Sequence, residues 1–213
     1  PPTTRIYPLS LHDALPIYVG HKALACSLSD IAAMGGAATY AVVSLGLPAD
    51  CPAAYPRGIY QAMLRLARKF SVAVVGGDTV RSDKVVINVA LLGEARRPVL
   101  RRGARPGDVI FVSGPLGQSF KSGRHPRFMP RLAEAAYVMR YFPPAAMIDI
   151  SDGLAADLGH ICAQSRTGAV IEETALPLNA GAGWQNAFYD GEDFELLFCL
   201  RPDQARRLSC RRD

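Results

Sequence analysis

The sequence is short of several things, and each shortage closes off a class of protein. No apolar run approaches the roughly 18 residues that a bilayer-spanning helix needs, so no membrane role is expected. No basic head followed by an apolar stretch opens the chain, so a cleavable secretion signal is not expected either, and the compartment read from the sequence is cytoplasmic. The five cysteines (Cys26, Cys51, Cys162, Cys199 and Cys210) contain no C-x-x-C pair and make a poor disulfide framework. Cys26, Cys162 and Cys199 fall in apolar segments and read as small core residues. The four histidines, His12, His21, His125 and His160, have no spacing that suggests zinc. Neither a Walker A loop nor a G-x-G-x-x-G fingerprint occurs, so any phosphate handled here is held by another device. Lysine is scarce: Arg outnumbers Lys 20 to 4 within a net charge of +5. The arginines cluster, at 96–105 and again at 201–212, but without interleaved aromatics. That favours small anions or solvated surface over nucleic acid.

What is present is an ordinary globular balance. With 213 residues, 49% hydrophobic and 20% charged, the chain has room for one large domain or two small ones. Residues 1–17 (PPTTRIYPLSLHDALPI) show no helical or strand period, carry four prolines and resemble translated adapter read-through. They are expected to be non-native or disordered and to carry no chemistry. Leu24, Leu28 and Ile31 then recur at helical spacing up to Gly35-Gly36, with Asp30 near the helix end. TYAVVSLGL (39–47) reads as a strand, and Pro52 to Phe70 as a helix with Ile59, Met63, Leu66 and Phe70 on one stripe. SVAVV (71–75) reads as a buried strand ending at Gly76-Gly77-Asp78-Thr79, and VVINVALLG (85–93) as another strand. The Arg-, Pro- and Gly-rich stretch 94–107 is the expected domain boundary. Beyond it come a strand at 108–114, a helix at about 131–142 stopped by Pro143-Pro144, a short strand at 146–150 and a helix from SDGLAADLGHICAQ. GAVIEE (168–173) and DFELLFCL (193–200) complete the expected strands. The alternation predicts an α+β protein of two layered α/β domains, 18–100 and 101–213.

Four places put carboxylates where core building would not. They are Ser29-Asp30 in an Ala-rich helix, Gly77-Asp78-Thr79 after an apolar strand, Asp149-Ile150-Ser151-Asp152-Gly153 where a strand turns into a helix, and Asp190-Gly191-Glu192-Asp193 before the last strand. Each has a plain structural reading: Ser151 or Asp152 as a helix N-cap, Asp78 as a turn residue, Glu192 and Asp193 as loop charges, and Asp30 as a polar-face residue. Taken together they suit a different use. Ligands bind at strand ends of α/β sheets, and converging carboxylates without His or Cys suit Mg2+, a hard cation with oxygen ligands.

KALACSLSDIAAMGG, VVGGDTVRSD, RRGARPGDVIFVSG, MIDISDGLAADLGHI and DGEDFELLF, in that order over residues 20–200, resemble the successive motifs of the thiamine-monophosphate kinase family. That family sits in the superfamily of aminoimidazole ribonucleotide synthetase, selenophosphate synthetase and a hydrogenase-maturation ATPase. The resemblance implies the superfamily's two-domain fold, with ATP and magnesium at the N-terminal domain, and transfer of a phosphoryl group from ATP to thiamine monophosphate with several Mg2+ ions. It implies Asp30, Asp78, Asp149 and Asp152 as magnesium ligands, Gly77, Asp78, Arg101 and Ser151 at ATP, and Glu192 at thiamine monophosphate. It further implies a homodimer paired through the N-terminal domain. No catalytic side chain is expected, because a phosphate-monoester acceptor is already mostly ionised at neutral pH, its second pKa being about 6. Direct in-line transfer, assisted by metal, is the simplest mechanism.

The chain also departs from the family pattern. The upstream Gly-Asp-Asp and Thr-Asp segments, a substrate-contacting His, and the downstream strand and aromatic that packs on thiamine have no counterpart here. The chain is therefore expected to be truncated at both ends and to bind Mg-ATP weakly and transfer phosphate poorly. Two alternatives are a sister enzyme of the superfamily and an inactive nucleotide-binding fragment. Against the sister enzymes stand GGDT and GEDFEL, the lack of a Cys in a Gly-rich N-terminal loop, and Cys210 being followed by Arg-Arg-Asp.

Overall fold

A computed structural model describes residues 15–210, and the expectations for residues 1–14 and for Arg211 and Arg212 lie outside it. The first helix, α1 (Pro16–Ala33), begins inside the segment expected to be structureless. Pro16 stands in its first turn, where a fixed φ and a missing N–H cost nothing. Its buried stripe is Leu24, Ala25, Leu28 and Ala32. β1 (Ala37–Leu47) follows and alternates, with Ala41, Val43 and Leu45 inward and Tyr40, Val42 and Ser44 outward. α2 (Ala54–Lys69) buries Ile59, Met63 and Leu66 and carries the chain back to β2 (Ala73–Arg81), which pairs parallel to β1. β3 (Val86–Glu94) pairs antiparallel on the other side, giving the order β2-β1-β3. α1 and α2 cover one face of this sheet.

The expected buried strand at 71–75 is corrected here. β2 runs on through Gly76, Gly77, Asp78 and Thr79, in register with Val42, Val43, Ser44 and Leu45, and nearly all of it is exposed. The valines read as buried because an apolar run looks the same at a sheet's edge as at its centre. The glycines read as a stop, but the ladder to β1 continues through them.

The second half builds β4 (Val109–Val112), α3 (Leu132–Tyr141), β5 (Ala146–Asp149), α4 (Leu154–Ser165), α5 (Trp184–Tyr189), β6 (Leu196–Leu200) and α6 (Pro202–Ser209). The strands form an antiparallel sheet in the order β4-β6-β5. Every residue of β5 and β6 is buried, because helices lie on both faces. Met147, Leu196, Phe198 and Leu200 meet Ala135 and Val138 of α3, while Ile148, Leu197 and Cys199 meet Leu154, Leu158 and Ile161 of α4.

GAVIEE does not form a strand. Residues 168–172 are irregular, Val170 is 90% exposed, and Glu173–Ala175 make one 3-10 turn. β-prone composition forms a strand only against a partner that buries it, and this segment has none in either sheet. β6 starts at Leu196 rather than Asp193, since Glu192 (φ 59°) and Phe194 (φ 50°) break the extended path.

The two sheets share one helix. Leu24 and Leu28 of α1 belong to the core under β1–β3, whereas Ala32 and Ala33 belong to the core under β5 and β6. Phe128 and Phe194 reach back into the first core, stacked with centroids 3.9 Å apart. Among the described residues, no helix is long and apolar enough to cross a membrane.

Candidate active site where one helix joins the two halves

α1 carries Lys22, Cys26, Ser29 and Asp30 at a spacing that places them on one side of the helix. Lys22 and Asp30 are eight residues apart, which is ~12 Å along a helix axis. This polar edge faces two loops of the second half. At its C-terminal end, buried Ser29 donates a hydrogen bond from Oγ to Oδ2 of Asp149, 2.6 Å away. Asp149 is the last residue of β5 and is itself buried. The chain then turns through Ile150, Ser151 and Asp152 into α4, whose first turn holds buried Asp157. Asp157 accepts the Asp152 N–H at 3.1 Å.

The charges here are poorly balanced. Burial raises the Asp149 carboxyl above the usual range, opposed by the Ser29 hydrogen bond and the Arg101 guanidinium, and reinforced by Asp152. Partial burial and then the Asp149 charge raise Asp30, again opposed by Arg101. Burial pushes Asp157 up to about 6, with Asp152 and Asp149 adding to the rise. Asp149 thus feels the charge of Asp152 and acts on both Asp30 and Asp157, and Arg101 is the cation that acts on Asp30 and Asp149.

The other end of the stripe meets Glu192. Lys22 Nζ makes an ion pair with Glu192 Oε2 and lies 3.3 Å from His125 Nδ1. Glu192 holds a left-handed backbone (φ 59°), and its N–H donates to the Ser151 carbonyl at 2.7 Å. Gly191 makes that approach possible: a Cβ there would stand 2.7 Å from the same carbonyl oxygen. The GED turn is therefore latched directly onto the DISDG turn. Cys26 sits between the two ends and its thiol is pushed up to about 12, mainly by burial, which leaves it inert.

Asp193 and Glu195, the next two acids, are buried by a different network. Arg124 reaches Asp193 (2.8 Å) and Glu195 (3.1 Å), and Arg131 reaches Glu195 (2.7 Å). These are structural ion pairs, so of the acids at 190–195 it is Glu192 that faces the α1 stripe.

The predicted site residues therefore divide. Asp30, Arg101, Asp149 and Asp152 come together, with Ser151 bonded to the Glu192 backbone beside them. Asp78 does not join them: it stands level with Ser44 in the exposed edge strand β2, on the sheet face opposite α1 and α2. Gly77 is packed so tightly against β1 that a Cβ would lie 1.9 Å from the Val43 carbonyl oxygen. Together with Tyr60 and Thr79 these two residues line a shallow hollow of about 420 Å3. Lys22, Ser29, Cys26, His125 and Asp157 were absent from the sequence-based set. The helical repeat of Lys22, Ser29 and Asp30 was a usable signal for the first two. Nothing local marked His125 or Asp157.

The donor chemistry fits magnesium, since every gathered ligand is a carboxylate and the acids exceed their one cationic neighbour. The fit does not extend to a finished cage: among the described residues, no three His, Cys, Asp or Glu side chains converge to hold an ion unaided.

Comparison with known proteins gives the family. Residues 7–95 match the family model for AIR synthase related protein, N-terminal domain. The Rhodopirellula baltica thiamine-monophosphate kinase is 41% identical over 198 residues, covering 88% of this chain and 62% of that protein. The Aquifex aeolicus thiamine-monophosphate kinase is 35% identical over 216 residues, covering 88% of this chain and 70% of that protein. The crystal structure of the Aquifex kinase superposes with a TM-score of 0.83 at 33% identity, over 90% of this chain and 74% of that one. A second structure, AaThiL complexed with AMPPCP and TMP, superposes with a TM-score of 0.84 over 90% of this chain and 71% of that one, at 33% identity. Hydrogenase maturation protein HypE in complex with ATP has the same fold (TM-score 0.77, 89% of this chain and 64% of that one) at 22% identity. The chain spans less than two thirds of the Rhodopirellula relative's length, but it covers enough of the Aquifex kinase at sufficient identity to settle its kinship: it belongs to the thiamine-monophosphate kinase family, with an α+β fold of the AIR synthase type.

Proposed function

We propose that this chain forms the junction of an ATP-dependent kinase that phosphorylates thiamine monophosphate to thiamine diphosphate. The observation that carries this reading is the Ser29–Asp149 hydrogen bond, which docks Asp30 of α1 onto the DISDG turn, itself bonded to the Glu192 turn. Donor-side and acceptor-side groups thereby share one helix edge. The structure of AaThiL complexed with AMPPCP and TMP supports the pairing of an ATP analogue with TMP in one protein.

Asp30, Asp149 and Asp152 would hold Mg2+, which supplies charge neutralisation for the meeting of two phosphate groups. Arg101, close enough to act on Asp30 and Asp149, would pair with an anionic oxygen of the nucleotide. Ser151, whose carbonyl accepts the Glu192 N–H, would contact ATP beside these groups. Gly77 and Asp78, with Tyr60, line a hollow apart from the α1 carboxylates and are proposed to contact the nucleotide from there. No side chain needs to remove a proton, because the acceptor oxygen is already ionised. Catalysis reduces to screening and in-line placement.

The apolar outer face of β1–β3 is the proposed dimer interface. Tyr40 is level with Leu92 and Val42 with Ala90, and Leu92 is 65% exposed.

The test is Mg2+-dependent ADP release from ATP, with and without thiamine monophosphate. Release that requires thiamine monophosphate and yields thiamine diphosphate supports the reading. Release independent of the acceptor refutes it. Glu192→Gln should weaken thiamine monophosphate at least tenfold and Mg-ATP less than twofold.

A further inference from the structure

Glu192 is an unusual choice for a passive surface acid. It is a non-glycine residue in the left-handed region, a conformation that costs of order 1 kcal/mol or more and persists where surroundings dictate it. Two groups from different parts of the chain converge on its carboxylate: Lys22 of α1 and His125 of the segment after β4. We propose that Lys22 and His125 are positioning residues of the acceptor site, fixing the Glu192 carboxylate so that it meets the acceptor in one orientation. This rests on the reading of Glu192 as the acceptor contact.

The hydrogen-bond inventory assigns each role. The Lys22 ammonium can only donate. With the ring proton on Nε2, His125 Nδ1, 3.3 Å away, accepts from that ammonium and the imidazole is neutral. Burial, and then the Lys22 charge, keep the histidine below its usual pKa, in agreement with that assignment. His125 cannot drift, because the residue is 6% exposed and its ring stacks on Phe120 with centroids 4.6 Å apart at 20°. Its backbone N–H donates to the Ser119 carbonyl at 3.1 Å. The histidine orients the ammonium and the ammonium orients the carboxylate. His21 anchors the same helix turn, its Nε2 lying 2.7 Å from the Phe128 carbonyl oxygen. The lysine and glutamate side chains are 28% and 35% exposed, so the pair adds little to stability and is open to a ligand.

A net-neutral Lys–Glu pair suits an acceptor that carries both signs, an organic cation joined to a phosphate. Glu192 would face the cationic part, and the third hydrogen of Lys22 remains for an anionic oxygen.

Isothermal titration of this chain with thiamine monophosphate and, separately, with Mg-ATP tests the roles. A hydrogen bond to a charged group is worth about 1.5–3 kcal/mol, or roughly 10- to 150-fold. Lys22→Met should weaken thiamine monophosphate at least tenfold while leaving Mg-ATP within twofold. Lys22→Arg should recover most of the loss. His125→Phe, which keeps the stack but removes the acceptor, should weaken thiamine monophosphate several-fold, and His125→Asn, whose Oδ1 replaces Nδ1, should not. If Lys22→Met misfolds by circular dichroism, the two His125 variants decide alone. Equal loss of both ligands, or no loss in Lys22→Met and His125→Phe, would overturn the proposal while leaving the kinase reading standing. Failure of the unaltered chain to bind thiamine monophosphate while binding Mg-ATP would overturn both.

Discussion

Asp157 shows how much a single carboxyl can reveal. It is 2% exposed, accepts the Asp152 N–H and is pushed up to about 6 by burial, against about 3.9 for an unfolded aspartate. The folded chain thus binds this proton more tightly than the unfolded chain. Its contribution to stability is complete below pH ~4, falls as pH rises from about 4 to 6, and is gone above. At 1.36 kcal/mol per pH unit the swing is roughly 2–3 kcal/mol. Asp157→Asn keeps an acceptor for the Asp152 N–H and removes the titration. The difference in urea unfolding free energy between variant and parent, measured without divalent cations, should move by about 2 kcal/mol in the variant's favour between pH 4 and pH 7. A difference that stays constant over that range would show that burial does not hold this proton.

Among the elements, the segment between β4 and α3 is held by buried ion pairs as well as by packing. Asp193 and Glu195 have side chains 0% and 1% exposed, and Arg124 bridges both. Arg124→Leu would leave Asp193 with the Gly117 N–H (2.9 Å) as its remaining bonded partner. Stripping one member from a buried pair costs about 3–5 kcal/mol, and the partial exposure of Arg124 places the expected loss near the lower end. An unfolding free energy unchanged within about 0.5 kcal/mol would contradict this account. The same elements show what was legible beforehand. α1, β1, α2, α3 and β5 were readable because one face or both are buried, so their apolar residues repeat at the helical or strand period. β2 misled because its valines lie at an exposed edge. GAVIEE misled because strand formation depends on a partner that no local pattern announces. The site divided likewise. Asp30, Asp149, Asp152 and Glu192 stood out as acids in apolar or glycine settings, whereas the partner that gives Lys22 its meaning lies 170 residues away.

At the scale of the whole molecule, α1 couples the two sheets, and the face of β1–β3 turned away from it is unusually apolar. Tyr40 (51%), Val42 (41%), Val75 (60%), Val86 (53%) and Leu92 (65%) are exposed there. Five large apolar side chains on one sheet form a patch of the kind that monomers seldom leave to water. β2 and β3 are also the sheet's edges, so an unprotected copy risks edge pairing as well as face pairing. A two-fold partner laid face to face would bury the patch on both copies at once. Asp78 lies on this same face, level with Ser44, so pairing would also enclose one of the proposed nucleotide contacts. Val42→Lys places a charge at the centre of the patch without touching the α1–α2 core, since Val42 points outward between buried Ala41 and Val43. Sedimentation equilibrium should show the parent chain as a dimer and Val42→Lys as a monomer of unchanged helix content. If pairing shapes the nucleotide hollow, the monomeric variant should also bind Mg-ATP more weakly while keeping its affinity for thiamine monophosphate. A parent chain that sediments as a monomer at tens of micromolar, with Val42→Lys identical to it, would remove this face as the interface.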